Sequence, residues 1–593
     1  PPKKPVSTVV RQGSGDTPSQ PAPGPRRTSQ APQGSSTLDA PRTRSRAMSK
    51  GVSVTPRLGS AEARAITMKE VQMTTVITAD AVPMVLGEKR MGPIIRGPPP
   101  GRGRLKNMLR LPAFVRCLAL TALAGVGAVG PAHAQAPLPP GFTQALARAG
   151  VPPEAVSVMV TALPPASGAS TPQAVVRLSH RADAAMNPAS VMKLVTTYAA
   201  LELLGPDFTW TNRVYVDGPV ADGVLQGNLI IRGSGDPKLV MERLDALLRQ
   251  VIAQGVREVR GDIVLDHAVF DVPERHPGAF DDEPLRPYNA SPDGLLVNFK
   301  SLVFTFTPDP AHGRALVRSE PPMAGVDIPS ELPLAIGPCG DWRAGLRADF
   351  NSPQRVRFAG RYPATCGERL WPVAYVEPRA YAARVVQAMW DGAGGRLTGQ
   401  VRDGATPANA RLWLAADSLP VGTLIADINK FSNNVMAQQL FLTFSSQEQG
   451  RGTFEGSRQR LQRWWRERFA GQEVPVLENG SGLSREERSS AAALTALLRR
   501  AATGPMAGAF TQSLGLAGVD GTVARMRERN GASPALGQAW LKTGSLRDVA
   551  AVAGYVNGRS GQRYSLVALV NHDNAGAARA ALDQLVDWVV LDP

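Results

Sequence analysis

The spacing of apolar and polar positions divides the chain into regions of different period. Residues 141–150 (GFTQALARAG) read as a short helix closed by Gly150. VSVMVTAL and AVVRLSH follow as two strands joined by a turn rich in Pro, Ser and Gly. The stretch 187–206 is apolar nearly all round, with Pro188 near its start and Gly205-Pro206 at its end, which predicts one helix buried at the centre of the fold. From about 207 to 408 the pattern turns strand-rich: RVYVDG, NLIIRGSGDP, GDIVLDHAVF, VNFKSLVFTFTPD and ALVRSE, interrupted by one amphipathic helix, LVMERLDALLRQVIAQG. Helical spacing returns after 420 in LIADINKFSNNVMAQQLFLTF, RQRLQRWWRERF and SSAAALTALLRRAA. The sequence ends in WLKTGSL, VAAVAGYVNG and RYSLVALVNH, an antiparallel strand set with an Asn-Gly turn, and a terminal helix, AGAARAALDQLVDWVVL.

Helices and strands at both ends, with a β-rich stretch between them, predict an α/β fold. One discontinuous domain, 138–206 with 409–593, is interrupted by an insert, 207–408, of one or two small domains. The chain of 593 residues, 43% of them hydrophobic, is long enough to bury such a core.

The net charge of +16 suggests a polyanionic partner until it is divided along the chain. Residues 1–107 carry 18 Lys and Arg against 6 Asp and Glu, residues 108–134 add Arg110 and Arg116, and residues 135–593 hold 46 basic against 44 acidic side chains. The main body is almost neutral, which removes the reason to expect nucleic acid. Six scattered His and no HExxH pattern give no reason to expect a metal, and no cofactor is implied.

Residues 1–107 are rich in Pro, Gly, Ser, Thr and Arg, a composition expected to stay disordered. Residues 108–134 have the layout of a secretory signal peptide: a short basic start at Met108, the apolar run LALTALAGVGAVG and an A-x-A site ending at Ala134. A signal of this kind belongs at a chain terminus. Met108 therefore reads as the true start and 1–107 as upstream sequence from a wrong start-site choice, the alternative being a genuine basic tail. Cleavage would remove Cys117 and any apolar segment able to anchor the protein. It would leave Cys339 and Cys366 in an oxidising compartment, where a disulfide closing 27 positions contributes ~3 kcal/mol in the chain-entropy model. Two unpaired buried thiols are the other reading.

Three short polar clusters can carry chemistry. Ser190 and Lys193 stand three apart on the first turns of the buried helix, on one face, where burial lowers an amine's pKa and makes it a base toward the hydroxyl. Ser432-Asn433-Asn434 lies in a helical region, where a hydroxyl and an amide two residues apart can point together into a cleft. Lys542-Thr543-Gly544-Ser545 lies on an edge strand, where a lysine and a hydroxyl could bind a carboxylate and Gly544 would let a ligand approach the backbone. Each alone is also a plain capping serine, polar helix face or strand end. The lysine census adds weight: residues 135–593 hold five lysines (193, 238, 300, 430, 542) against 41 arginines, and two of the five fall in these clusters.

In that order, SxxK, SxN and KTG resemble the active site of penicillin-binding proteins and serine β-lactamases. The gap of 242 residues between Ser190 and Ser432 narrows the likeness, as do Gly233-Ser-Gly-Asp-Pro237 and Asn479-Gly-Ser-Gly-Leu-Ser-Arg485. Together they resemble the penicillin-binding protein 4 family, the low-molecular-mass class C D-alanyl-D-alanine carboxypeptidases and endopeptidases. The resemblance implies a transpeptidase-like antiparallel sheet flanked by helices. It implies Ser190 as the acylated nucleophile, Lys193 as its base, Ser432 as relay to the leaving amine, Asn434 on the substrate amide and Lys542 as electrostatic support. Thr543 would bind the terminal carboxylate, and the N–H groups of Ser190 and Ser545 would form the oxyanion hole. Arg485 with Asp281, Asp282 and Glu283 could face the diamino acid of a stem peptide. Peptidoglycan stem peptides as substrate, β-lactams as inhibitors and a periplasmic location follow. Asn479 departs from the Asp common before Gly-Ser-Gly, and Arg547 follows KTGSL. The competing readings are a β-lactamase or esterase of the same fold, which the long gap disfavours, and a non-catalytic wall-binding scaffold.

Overall fold

The computed structural model describes residues 137–164 and 175–592. The expectations for 1–107 and 108–134 lie outside the described residues.

A six-stranded antiparallel sheet is assembled from both ends of the sequence. Its strands are β1 (Val156–Ala162), β2 (Val176–His180), β3 (Gly515–Leu516), β4 (Ala539–Leu546), β5 (Val549–Asn557) and β6 (Arg563–Asn571), in the order β3-β4-β5-β6-β1-β2. Around it stand α1 (Pro140–Arg148), α2 (Lys193–Leu203), α3 (Val421–Lys430), α4 (Asn434–Gln449), α5 (Phe454–Arg468), α6 (Ala491–Thr503) and α7 (Arg579–Leu591). The period of two divides each strand between two cores. On β6, Leu566, Ala568 and Val570 pack with α1 and α7 through residues such as Phe142, Leu146, Leu585 and Val589, while Val567 and Leu569 pack against the helices on the opposite face. Strands covered on both faces read as nearly continuous apolar runs, which is how β5 and β6 appear in the sequence. Within the helical layer, α2 is buried from Lys193 to Leu201, as its all-round apolar pattern requires.

The fold is therefore a discontinuous α/β domain, an antiparallel sheet flanked by helices, with a β-rich insert. The insert has its own core and two five-stranded sheets. One runs Val401–Asp403, Ile263–Asp266, Leu229–Arg232, Thr211–Val216, Arg411–Asp417, and the other Tyr362–Pro363, Glu331–Ala335, Arg314–Glu320, Ser301–Asp309, Arg369–Ala374. The strand Arg411–Asp417, beyond the boundary read at 408, pairs with Thr211–Val216 in the insert. Cys339 and Cys366 are joined in a disulfide, their Cα atoms 4.7 Å apart.

Three elements differ from the expectation. The insert contains, besides the predicted helix and a short one at Trp342–Leu346, a long helix, Pro378–Gly392, in a stretch expected to be strand-rich; its buried Tyr381, Ala382, Val385, Val386, Met389 and Trp390 follow a helical repeat. The predicted helix from 187 starts instead as a 3-10 turn, Ala189–Met192, before α2. The helical run after 420 is two helices, α3 and α4, broken at Ser432, whose φ is +60°. The Asn433 side chain caps the second by accepting from the Met436 N–H (3.0 Å).

Candidate active site

Four segments far apart in sequence meet at the edge of β4, and the backbone around Ser190 is fixed first. Ala189 has a φ of +46°, and its N–H donates to Asn187 Oδ1 (2.8 Å). The Asn187 amide in turn donates to the Ser484 carbonyl (2.9 Å), and its backbone exchanges two hydrogen bonds with the Asn571 side chain (2.8 and 2.9 Å). Two glycines let other backbones close onto this turn. A Cβ on Gly482 (φ +78°) would stand 2.0 Å from the Ala189 carbonyl oxygen, and one on Gly544 would stand 2.5 Å from that of Pro188. Gly544 thus admits the Ser190 turn against β4.

Lys193 is wholly buried on the first turn of α2. Its Nζ donates to Asn434 Oδ1 (2.6 Å) and to the Ser481 carbonyl (2.5 Å), and stands 3.0 Å from Ser190 Oγ. Burial, and then the charge of Lys542, hold its pKa well below that of a free lysine; the buried Glu487 carboxylate opposes them. A neutral amine has two N–H donors and one lone pair. With the donors taken by Asn434 and Ser481, the lone pair is left for the Ser190 hydroxyl.

Lys542, also wholly buried, donates to Ser432 Oγ (2.8 Å) and to the Thr543 carbonyl (2.7 Å), and burial lowers its pKa to about 7. Two hydrogen-bonded groups therefore form the site, Ser190–Lys193–Asn434 and Ser432–Lys542, with Ser432 and Asn434 two residues apart in sequence. Both polar atoms of Asn434 have protein partners, Lys193 on one side and the Tyr288 carbonyl (3.2 Å) on the other. Its amide orients the Lys193 amine in this state.

The edge of β4 is open where it matters. β3 pairs only with Trp540 and Leu541, so from Lys542 to Leu546 the outer side of the strand has no strand partner among the described residues. There Thr543 Oγ1 shares a hydrogen bond with Thr522 Oγ1 (2.8 Å), and Ser545 Oγ accepts from Arg579 Nη2 (3.5 Å). Arg485 lies over the Phe280 ring (4.6 Å) and pairs with Asp548 (2.9 Å). Asp281 is engaged locally, accepting from the Tyr288 hydroxyl (2.8 Å) and from Asn289 Nδ2 (2.7 Å), and Glu283 pairs with Arg286 (3.4 Å). Among the described residues, no hydrogen bond or ion pair links this acidic group to Arg485.

Residues the sequence reading passed over shape the site: Asn187, Asn571, Ser481, Thr522, Glu487 and Arg579. Glu487 is fully buried, and its Oε1 accepts from the N–H groups of Glu478 (3.0 Å), Asn479 (3.0 Å) and Gly480 (2.9 Å). It thereby shapes the loop whose Ser481 carbonyl receives Lys193. Asn479 braces the same loop, accepting from Ser481 N–H (2.9 Å) and Oγ (2.6 Å). The acidic pair after Ser484-Arg485 was the signal available for Glu487.

The sequence matches the model of the D-Ala-D-Ala carboxypeptidase 3 (S13) family over residues 168–590. The chain belongs to this family. This bears out the resemblance drawn from SxxK, SxN and KTG, and makes the protein a serine-type D-Ala-D-Ala carboxypeptidase, a hydrolase. A D-alanyl-D-alanine carboxypeptidase from Actinomadura sp. (strain R39) is 31% identical over 428 residues, which span 67% of this chain and 76% of that protein. D-alanyl-D-alanine carboxypeptidase DacB of Haemophilus influenzae is 25% identical over 406 residues, 66% of this chain and 81% of that one. The crystal structure of penicillin binding protein 4 (dacB) from H. influenzae is 22% identical, with a TM-score of 0.59, covering 75% of this carboxypeptidase and 98% of that chain. The same protein complexed with a β-lactam gives a TM-score of 0.57. These structures share the carboxypeptidase's fold.

Proposed function

We propose that the protein is an exported DD-peptidase that cleaves peptidoglycan stem peptides through an acyl-enzyme on Ser190. The observation that carries this is the buried Lys193 Nζ, 3.0 Å from Ser190 Oγ with its other hydrogen-bonding positions filled. Lys193 takes the Ser190 proton as Oγ attacks the carbonyl carbon of the penultimate D-Ala. The N–H groups of Ser190 and Ser545 hold the oxyanion. The C–N bond breaks, and the proton held by Lys193 passes through Ser432, supported by Lys542, to the leaving amine. Water then attacks the ester and gives a proton to Lys193, the acyl–Oγ bond breaks, and Lys193 delivers that proton to Ser190 Oγ. One water is consumed per peptide bond cleaved. Thr543 and Ser545, on the open edge of β4, receive the carboxylate beside the scissile bond.

The same site would hydrolyse the D-Ala–diaminopimelate crosslink as an endopeptidase. It would also be acylated by β-lactams, in keeping with the β-lactam complex of the H. influenzae protein. Export rests on the signal layout of 108–134, and among the described residues no helix is long and apolar enough to cross a membrane. The matching test is labelling with a fluorescent penicillin. Wild type should label covalently and release D-Ala from a D-Ala-D-Ala peptide, and Ser190→Ala should do neither. Labelling of Ser190→Ala would overturn the assignment, and N-terminal sequencing of exported protein should begin at Gln135.

A further inference from the structure

Arg579, the first residue of α7, is a cation in an unfavourable place. Its Nη2 donates to Ser545 Oγ at 3.5 Å, and it has no other hydrogen bond and no ion pair among the described residues. The nearest acid on its own helix, Asp583, is occupied by Arg529 in a two-pronged pair (2.7 and 3.0 Å). Burial, then the charges of Arg529 and Arg525, all act against the Arg579 cation, and Asp583 only partly offsets them. Arg579 also opens a helix, where the backbone already presents partial positive charge. Ser545, its one hydrogen-bond partner, lies two residues along β4 from Thr543, on the part of the strand whose outer edge has no strand partner among the described residues, and Thr543 Oγ1 is bonded to Thr522 Oγ1. A half-buried guanidinium crowded by two others, facing the Ser545 hydroxyl at an open edge, is stabilised by an incoming anion. Its planar fork matches a carboxylate.

We propose that Arg579 is a specificity-determining residue that, with Thr543 and Ser545, binds the free carboxylate α to the scissile amide nitrogen of the substrate. This rests on the reading of Ser190 as the acylated residue. It makes the site selective for leaving groups that carry that carboxylate, and for β-lactams through their ring carboxylate, over amidated peptides.

The test uses the full-length protein as wild type, Arg579→Gln and Arg579→Lys. kcat/KM is measured on an N-acylated peptide ending in D-Ala-D-Ala and on the same peptide with its terminal carboxylate converted to a carboxamide. Arg579→Gln should lower kcat/KM about 10- to 100-fold for the carboxylate peptide, mainly through KM. It should change the carboxamide peptide by less than about threefold. Arg579→Lys, which keeps the charge but loses the fork, should fall between. Equal losses on both peptides, or no loss on the carboxylate peptide, overturn the proposal. Should the Gln variant fail to fold, the Lys variant carries the same comparison, because the carboxamide peptide is its internal control. Failure of the Ser190 reading would show separately, as penicillin labelling that survives Ser190→Ala.

Discussion

Gly482→Ala tests how tightly the Ser190 turn is held. The new Cβ would lie 2.0 Å from the Ala189 carbonyl oxygen, 2.3 Å from its carbon and 2.7 Å from Ser190 N, all backbone atoms that cannot rotate away. Ordinary contact would require a displacement of about 1.4 Å. The left-handed backbone (φ +78°) costs an alanine a further ~1–2 kcal/mol, and forced overpacking ~1–3 kcal/mol, for a combined loss of ~2–5 kcal/mol. Part of the displacement falls on Ser190, whose Oγ stands 3.0 Å from Lys193 Nζ, and a misplacement of about 1 Å costs on the order of 100-fold in rate. The assay is the second-order rate of acylation by a fluorescent penicillin, with a thermal melt on the same sample. Gly255→Ala is the control. There φ is +103° and nothing lies within 4 Å, so backbone strain acts without a clash: the melt should fall by ~1–2 kcal/mol with acylation intact. A Gly482→Ala protein that acylates within about threefold of wild type would refute the reasoning that this loop fixes the nucleophile.

Glu487→Gln keeps an oxygen for the three backbone N–H groups but removes the negative charge that raises the Lys193 pKa. The acid limb of the acylation pH profile should therefore move to lower pH, and a move to higher pH would contradict the assignment of Lys193 as base. Replacing Cys339 and Cys366 by Ser should cost ~3 kcal/mol of insert stability and leave penicillin acylation at its wild-type rate; loss of acylation in the folded variant would show that the insert shapes the site through this bond. Burial alone would lower the pKa of His267, but its bonds to Asp293 and Asp403 raise it from 6.5 to about 9. Its stabilisation is fully present below pH 6.5 and is lost as the pH rises through about 9, so the melting temperature should fall across that window in wild type and stay flatter in His267→Gln.

Most of the catalytic layer was legible because its periods are unambiguous. β5 and β6 are long apolar runs with a turn between them, and α2 is apolar on nearly every side because it is buried along its length. The breaks were harder to see. Ser432 interrupts a pattern that stays apolar in helical register on both sides, and only its positive φ and the Asn433 cap separate α3 from α4. Helix Pro378–Gly392 was lost among strands although its apolar positions recur in pairs four apart, the period its Ala- and Arg-rich composition supports. The three polar clusters are legible in the sequence, but the approach of the Ser190 turn to Gly544 is not. Closeness between strand and turn depends on which backbone crosses which, and no local spacing encodes that.

The lysine count carried more than the sequence reading drew from it. Two of five lysines were singled out, yet all five make specific contacts: Lys193 with Ser190, Lys238 with Asp427 (2.8 Å), Lys300 with Asp293 (2.7 Å), Lys430 with Asp520 (2.7 Å) and Lys542 with Ser432. Where arginine supplies the surface charge, lysine remains where a compact ammonium is needed between close acceptors, or where the group must shed its proton. Lys430 shows the structural use beside the chemical one. Its pair with Asp520 ties the end of α3, two residues before Ser432, to the turn that carries Thr522 against Thr543. The backbone closes the same gap, since a Cβ on Gly521 would stand 2.6 Å from the Lys430 carbonyl oxygen. The segment before Ser432 and the turn that bonds Thr543 are thus held on one strut, so on the roles proposed for Ser432 and Thr543, loss of the Lys430 ammonium should disturb substrate binding and proton transfer together.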